Sequence, residues 1–287
     1  MSLPHDLSLR DADLDDLPAI AALRDAVGWS VHEWALRAVI GLPHARCVVA
    51  VDGEGALAGV GSGIPYGPLG FVGNMVVVEA HRRRGVGTAI LDSVATFLEE
   101  AGCRRLELNA TPDGQPLYMR HGFESIGMSS AARIPRGAPL SRDPALSARH
   151  ADRSDLGALA AYDRLRFGGD RRALLGLLLD DPAAPIVLAE RDGAIVGYAC
   201  VRPDEPRIGP VLADSPTVAE TLLIEAFDLA PSTDELRLNL PPNNRPGTEW
   251  LEGLGVEIEP WDGRMARGPQ IPRRDDAVYG MAVGALG

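Results

Sequence analysis

Residues 82–88 read RRRGVGT, an Arg-x-x-Gly-x-Gly run set between the apolar stretch Met75–Val78 and a helix-patterned segment, TAILDSVATFLEE. A strand that enters a glycine turn and then a helix presents free backbone N–H groups at the positive end of a helix dipole, and such a turn binds phosphate. Spacing excludes the two commoner phosphate loops. There is no GxxxxGK[ST], and Gly85 and Gly87 lack the third member of GxGxxG. Glycine lets the backbone approach a pyrophosphate closely and permits positive φ. Arg82, Arg83 and Arg84 add charge around it. A solvated helix start is the ordinary reading of three arginines. Cations beside a positive helix end are nevertheless unfavourable, by roughly 0.3–1 kcal/mol where exposed, and an anionic ligand reverses that sign.

The elements that must hold this turn follow from periodicity. The first half reads as a strand (7–10), two helices (14–27 and 31–40) and hairpin strands (46–51 and 56–63). A central strand (71–78), a helix (86–101), a strand (105–110), a short helix (115–121) and a last strand (about 123–134) follow. Asp13 is placed to cap the first helix, where a carboxylate accepts an orphan N–H. On the third helix Ile90, Leu91, Val94, Phe97, Leu98 and Ala101 recur at three- and four-residue spacing, a stripe that faces a sheet.

The chain repeats itself. RDADLDDLPAI (10–20) matches RHADRSDLGAL (149–159) at an offset of 139. VVAVDGEGALAGVG (48–61) matches VLAERDGAIVGYA (187–199), each a strand–turn–strand hairpin pattern. LELNATPDGQPLYMRHGF (106–123) matches LRLNLPPNNRPGTEWLEGLGV (236–256). Three matches in one order indicate an internal duplication. Two domains are expected, 1–135 and 147–287, joined by a proline-rich linker at 136–146. Each is an α/β (α+β) sandwich with a mostly antiparallel, mixed sheet flanked by helices.

Composition narrows the function classes. A formal charge of −12 argues against nucleic acid, which needs a basic face, and would draw cations such as protonated amines. No run of 18 apolar residues predicts a membrane helix, and the acidic N-terminal stretch does not resemble a secretory signal. Cys47, Cys103 and Cys200 are too far apart for a CxxC metal pair or a disulfide framework. A reducing cytoplasm, no metal and no membrane partner are the expectations.

The first half resembles the GNAT superfamily of acyl-CoA-dependent N-acyltransferases. Arg82, Gly85 and Gly87 match its pyrophosphate loop, and Leu117, Tyr118, Gly122 and Phe123 match its Leu-Tyr-x-x-x-Gly-Phe signature. The whole chain resembles tandem GNAT proteins whose second domain is degenerate. The resemblance implies a fold of two tandem GNAT domains and acetyl-CoA as co-substrate. It implies direct attack by a primary amine in a ternary complex. It places the pantetheine arm along Met75, Val76 and Val77, where a backbone N–H would also hold the thioester oxygen. The diphosphate would lie on the backbone of Arg83, Arg84, Gly85, Val86, Gly87 and Thr88, with Arg82 beside it. Asn109 and Thr111 are candidates for the cofactor's other side. Tyr118 would be the general acid that protonates the departing thiolate, since a phenol near pKa 10 can donate to a thiolate.

Departures matter as much. Many relatives carry a carboxylate before the loop as general base, where this chain has Phe71, Val72, Gly73 and Asn74. A water relay through Asn74 or backbone carbonyls is one substitute. His32 and Glu33 lie on the segment that borders the acceptor, as do Trp29 and Trp34, which serve either as pocket wall or as core. Glu79 stands where many relatives have proline and shapes the turn, and His121 reads as an exposed helix-end residue. In the second half the loop-equivalent segment, 210–227, has no glycine and no arginine, and Trp250 stands in for Tyr118. That half is expected to bind no acyl-CoA and to complete the acceptor site or lend stability. Small-molecule amines compete with protein lysines or N-termini as acceptors. A non-catalytic acyl-CoA sensor is the alternative from another class. Oligomeric state is not readable.

Overall fold

The computed structural model describes residues 3–203, 205 and 207–287. The chain forms two compact units. The first comprises residues 1–124, 265–270 and 284–287, and the second residues 125–264 and 271–283. The expected linker at 136–146 therefore lies within the second unit, as does the strand expected to close the first half. Among the described residues no helix is long and apolar enough to cross a membrane.

The first unit opens with β1 (Leu7–Asp11), α1 (Leu17–Ala26) and α2 (Glu33–Gly41). It continues with β2 (Arg46–Asp52), β3 (Leu57–Tyr66), β4 (Leu69–Val77), α3 (Val86–Glu100), β5 (Arg105–Ala110) and α4 (Gln115–Arg120). β1 to β4 are consecutive antiparallel neighbours, and β5 runs parallel to β4. Helix α3 sits directly on β3 because alternate residues there are Gly59, Gly61 and Gly63. A Cβ at Gly59 would meet Ile90 at 3.0 Å, one at Gly63 would meet Val94 at 2.8 Å, and one at Gly61 would collide with Ile90 and Met75. Of the predicted stripe, Ile90, Leu91, Val94 and Leu98 close the core with Leu106, Leu108 and Ala110 of β5, while Phe97 is half-buried and Ala101, just past the helix end, is exposed.

Two features of the sheet shape its centre. β4 and β5 pair only over Leu69–Phe71 and Arg105–Glu107, so beyond Phe71 no β4–β5 partner is recorded among the described residues. In β4, Asn74 and Met75 stand opposite the single residue Gly61 of β3, a β-bulge in which Asn74 has φ +54°. Asparagine is among the few non-glycine residues that tolerate this region.

The second unit contains all but the first residue of β6 (Glu124–Pro135), β7 (Ser147–His150), α5 (Leu156–Phe167), α6 (Arg172–Asp180), β8 (Ile186–Arg191) and β9 (Ala194–Cys200). It continues with β10 (Val211–Ala213), α7 (Pro216–Leu229), β11 (Glu235–Leu240), α8 (Arg245–Gly253), most of β12 (Ile258–Arg267) and β13 (Val278–Gly280). A five-stranded antiparallel sheet runs β13-β10-β9-β8-β7. β6 pairs with β11 from Ser130↔Leu240 to Pro135↔Glu235. This pairing is why β6 clusters here: alternation along the chain cannot say which partner at long separation a strand will choose.

The duplication is visible in detail. Arg10 clamps Asp16 at 2.6 and 2.7 Å, and Arg149 clamps Asp155 at 2.8 and 2.7 Å. Asp13 accepts from the Asp15 N–H at 2.9 Å, and Asp152 from the Ser154 N–H at 2.7 Å. In both copies the carboxylate three residues on accepts from the capping residue's own N–H at 2.9 Å, completing a capping box.

Candidate active site

Gly85 stands at the N-cap of α3 with φ +91°, a left-handed conformation that glycine adopts without strain, and no side chain caps the helix. The first N–H groups of a helix have no partner within it. Among the described residues no carbonyl or side chain accepts from the N–H groups of residues 83–88; the first bond of the helix is Ala89 N–H to the Gly85 carbonyl, 3.0 Å. Gly87, by contrast, is helical. A Cβ there would rest at ordinary contact distance, 3.4 Å from Leu117 and 3.6 Å from Val77. The same distances bring the turn, the end of β4 and helix α4 together.

The three arginines differ. Arg82 folds its Nε back to the Val77 carbonyl at 3.1 Å. Arg83 is exposed with φ +61°. Arg84 donates to both Asp6 oxygens at 2.9 Å, which holds the Asp6 carboxyl below its usual range, and its other Nη lies 3.1 Å from His81 Nδ1. Met75 and Val77 are half-buried, and Val76 is buried. Val86 is buried in the core beneath the turn and Thr88 is half-buried.

Tyr118 lies on α4, 5% exposed, with its ring edge-on to Phe123 at 6.0 Å. Thr111 accepts the Gly114 N–H at 3.3 Å at the start of α4, and Asn109 Nδ2 donates to the Gly284 carbonyl at 3.4 Å. His121 does not stand free: its Nδ1 donates to the Leu117 carbonyl at 2.7 Å, and its Nε2 lies 3.2 Å from the Asp92 carboxylate. Glu33 pairs with Arg37 at 2.6 Å on the exposed face of α2, while His32 precedes that helix without capping it.

Three features escaped the sequence. Residues 284–287, from the far end of the chain, belong to the first unit: a Cβ on Gly73 would lie 2.8 Å from Ala285, and the Tyr66 hydroxyl donates to the Leu286 carbonyl at 2.7 Å. Glu107, buried opposite Phe71 of β4, is held by Arg105 at 2.5 Å, so this carboxylate is committed to an ion pair. Arg24 of α1 is buried and donates to Asn74 Oδ1 at 2.5 Å, while Asn74 Nδ2 donates to Ser62 Oγ at 3.0 Å. None carries a local signal, because each contact joins residues remote in sequence or alternates within an ordinary strand.

In the second unit the equivalent helix α7 begins differently. Pro216 occupies its first turn and Ser215 Oγ accepts the Val218 N–H at 3.4 Å. Its N-terminus is closed by its own chain.

A family model described as the acetyltransferase (GNAT) family matches residues 9–123, and one described as an acetyltransferase (GNAT) domain matches residues 159–280. The chain belongs to the GNAT acetyltransferase family. It carries two such domains in tandem. It is 25% identical over 224 residues to an uncharacterized N-acetyltransferase, YitH, of Bacillus subtilis, covering 77% of this chain and 78% of that protein. A 65-residue segment is 34% identical to a probable glucosamine 6-phosphate N-acetyltransferase of Oryza sativa, covering 23% of this GNAT chain and 39% of the rice protein. The fold is shared with a putative acetyltransferase from Pyrococcus horikoshii, at TM-score 0.81 and 23% identity over 100% of this chain and 98% of that one. It is shared also with a tandem GNAT protein from the clavulanic acid pathway, at TM-score 0.63 and 15% identity over 92% and 99%.

Proposed function

We propose that the chain is an N-acetyltransferase that moves an acetyl group from acetyl-CoA to an amine, with the first unit as the active one. The observation that carries this reading is the uncapped N-terminus of α3 behind left-handed Gly85, with the N–H groups of 83–88 unengaged among the described residues. A diphosphate satisfies those donors and the dipole together. Acetyl-CoA supplies an acetyl group activated as a thioester.

The chain's own residues supply the rest. The edge of β4 beyond Phe71 offers Met75, Val76 and Val77 as backbone partners for an extended arm, in the manner of an added strand. A backbone N–H at the bulge is suited to hold negative charge that develops on a carbonyl oxygen. Tyr118 donates its phenolic proton to the leaving sulfur. Asn109 at the end of β5 is already hydrogen-bonded to Gly284, and Thr111, just past that strand, accepts the Gly114 N–H ahead of α4, so their role is to shape the cleft wall. With Glu107 committed to Arg105, the attacking amine enters already neutral or gives its proton to water. The rate then rises with pH toward the amine's own pKa, near 10.4 for an alkylamine.

The second unit takes no acyl-CoA, in keeping with its self-capped α7, and it lends stability or acceptor surface. A relative named for glucosamine 6-phosphate favours a small-molecule amine over a protein lysine or N-terminus. The test is release of free CoA thiol from acetyl-CoA across a panel of amines and peptides, beside calorimetric CoA binding. Transfer to at least one amine is expected; tight CoA binding with no transfer to any would leave a sensor.

A further inference from the structure

Arg24 is 9% exposed and lies in the first unit with no carboxylate against it among the described residues. Two of its five N–H groups are used: Nη1 donates to Asn74 Oδ1 at 2.5 Å and Nη2 to the Ser30 carbonyl at 2.9 Å. Nε is buried with no hydrogen-bond partner. The guanidinium carbon lies 5.3 Å from the centre of the half-buried Trp29 ring. Neutral carbonyls and a ring face do not offset the removal of a full charge from water, and burial lowers this guanidinium's pKa with no acid to raise it again. Two other buried arginines meet that cost with a carboxylate: Arg105 has Glu107 and Arg171 has Asp163 at 2.6 Å.

Place supplies the second half of the argument. Asn74, held by Arg24, is the left-handed residue of the β4 bulge, immediately before Met75–Val77. The phosphate-binding turn lies at the other end of that strand segment, beyond Val77, so a diphosphate seated there leaves Arg24 unanswered. Resting on the acetyltransferase reading above, we infer that Arg24 is the anion-binding subsite for the acceptor. The substrate is accordingly an amine that also carries a carboxylate or phosphate. Trp29 packs against the guanidinium, whose remaining Nη–H groups are the donors for the acceptor's anion, while the enclosed Nε–H senses its charge. An arginine fork pairs such groups with charge-assisted hydrogen bonds, about twice as strong as neutral ones.

The unpartnered Nε–H is its own reporter. In arginine-side-chain nitrogen NMR on the full chain, the Arg24 signal is assigned by its loss in Arg24→Lys. It is then titrated with sodium acetate and with inorganic phosphate against chloride at equal ionic strength. A saturable shift with acetate marks a carboxylate subsite, and one with phosphate a phosphate subsite. A signal that neither anion moves, or that chloride moves equally, overturns the inference. Kinetics give the second arm, with acceptor pairs that differ only in the anion: an amino acid and its decarboxylated amine, an amino sugar phosphate and its parent sugar. Arg24→Lys should raise KM for the anionic member by about tenfold more than it raises KM for the neutral member. Equal losses on both members would mean that Arg24 only props Asn74, and would overturn it too. If the parent protein acetylates no amine, the transfer reading fails on its own and the titration alone decides the anion site.

Discussion

Gly87→Ala separates a folding role from a ligand role at one atom. The added Cβ would rest 3.4 Å from Leu117 and 3.6 Å from Val77, which is ordinary contact, and the residue is helical. Folding therefore does not require glycine at 87. Replacing a helical glycine by alanine removes unfolded-chain entropy and stabilises by about 0.4–1 kcal/mol, or roughly 1–4 °C in a domain of this size. Bound diphosphate must come close to the same backbone, and losing one charge-assisted N–H bond to it costs about 1.5–3 kcal/mol, roughly tenfold to a hundredfold in Kd. Gly85→Ala is the control. At φ +91° an alanine is strained by about 1–2 kcal/mol, so this variant should lose both stability and CoA affinity. Thermal melts by circular dichroism and calorimetric titration with CoA read the two quantities. The reasoning is refuted if Gly87→Ala binds CoA as tightly as the parent, or if it melts several degrees lower.

Three further outcomes follow from other parts of the structure. Tyr118→Phe keeps the edge-on contact with Phe123, so CoA affinity and melting temperature should hold while kcat falls by about 10²–10⁴-fold; unchanged kcat would remove the acid role. Cys47 and Cys200 have their thiols pushed up to about 12 by burial and Cys103 to about 11, so thiol reagents should label none of the three at neutral pH until the protein unfolds. The Asp155 carboxyl, held down to about 2 chiefly by its hydrogen bond from Arg149, contributes stability above the unfolded carboxylate pKa of about 3.9 and loses it as pH falls through about 2. The melting-temperature gap between the parent and Asp155→Asn should accordingly narrow over that interval, and a constant gap would contradict the ion pair.

How much of this was legible in the residues follows from the range of each interaction. Most of the α3 stripe and the hairpins are local, and periodicity or spacing exposes them; Asp13 does cap, but it caps the 3-10 turn at 14–16 ahead of α1 rather than α1 itself. The turn at 82–88 is legible for the same reason: its strand, glycines and helix are contiguous. The partner of β6 is not, because Ser130 meets Leu240 across more than a hundred residues. Arg24 reads as one polar residue beside Leu23 on an apolar helix, and nothing nearby announces Asn74. The tail at 284–287 reads as the end of the second repeat, yet its carbonyls meet Asn109 and Tyr66. Arg84 illustrates a subtler loss: its position marks it for phosphate, while Asp6, seventy-eight residues earlier, takes its guanidinium.

Backbone amide NMR during titration with acetyl-CoA tests the account most directly, because the proposed contacts are amides. The account predicts that the largest saturable shifts fall on residues 83–88, where no acceptor is present among the described residues, followed by Met75–Val77. Saturable binding that leaves the amides of 83–88 unmoved, with its shifts centred on the start of α7 or elsewhere, would contradict it.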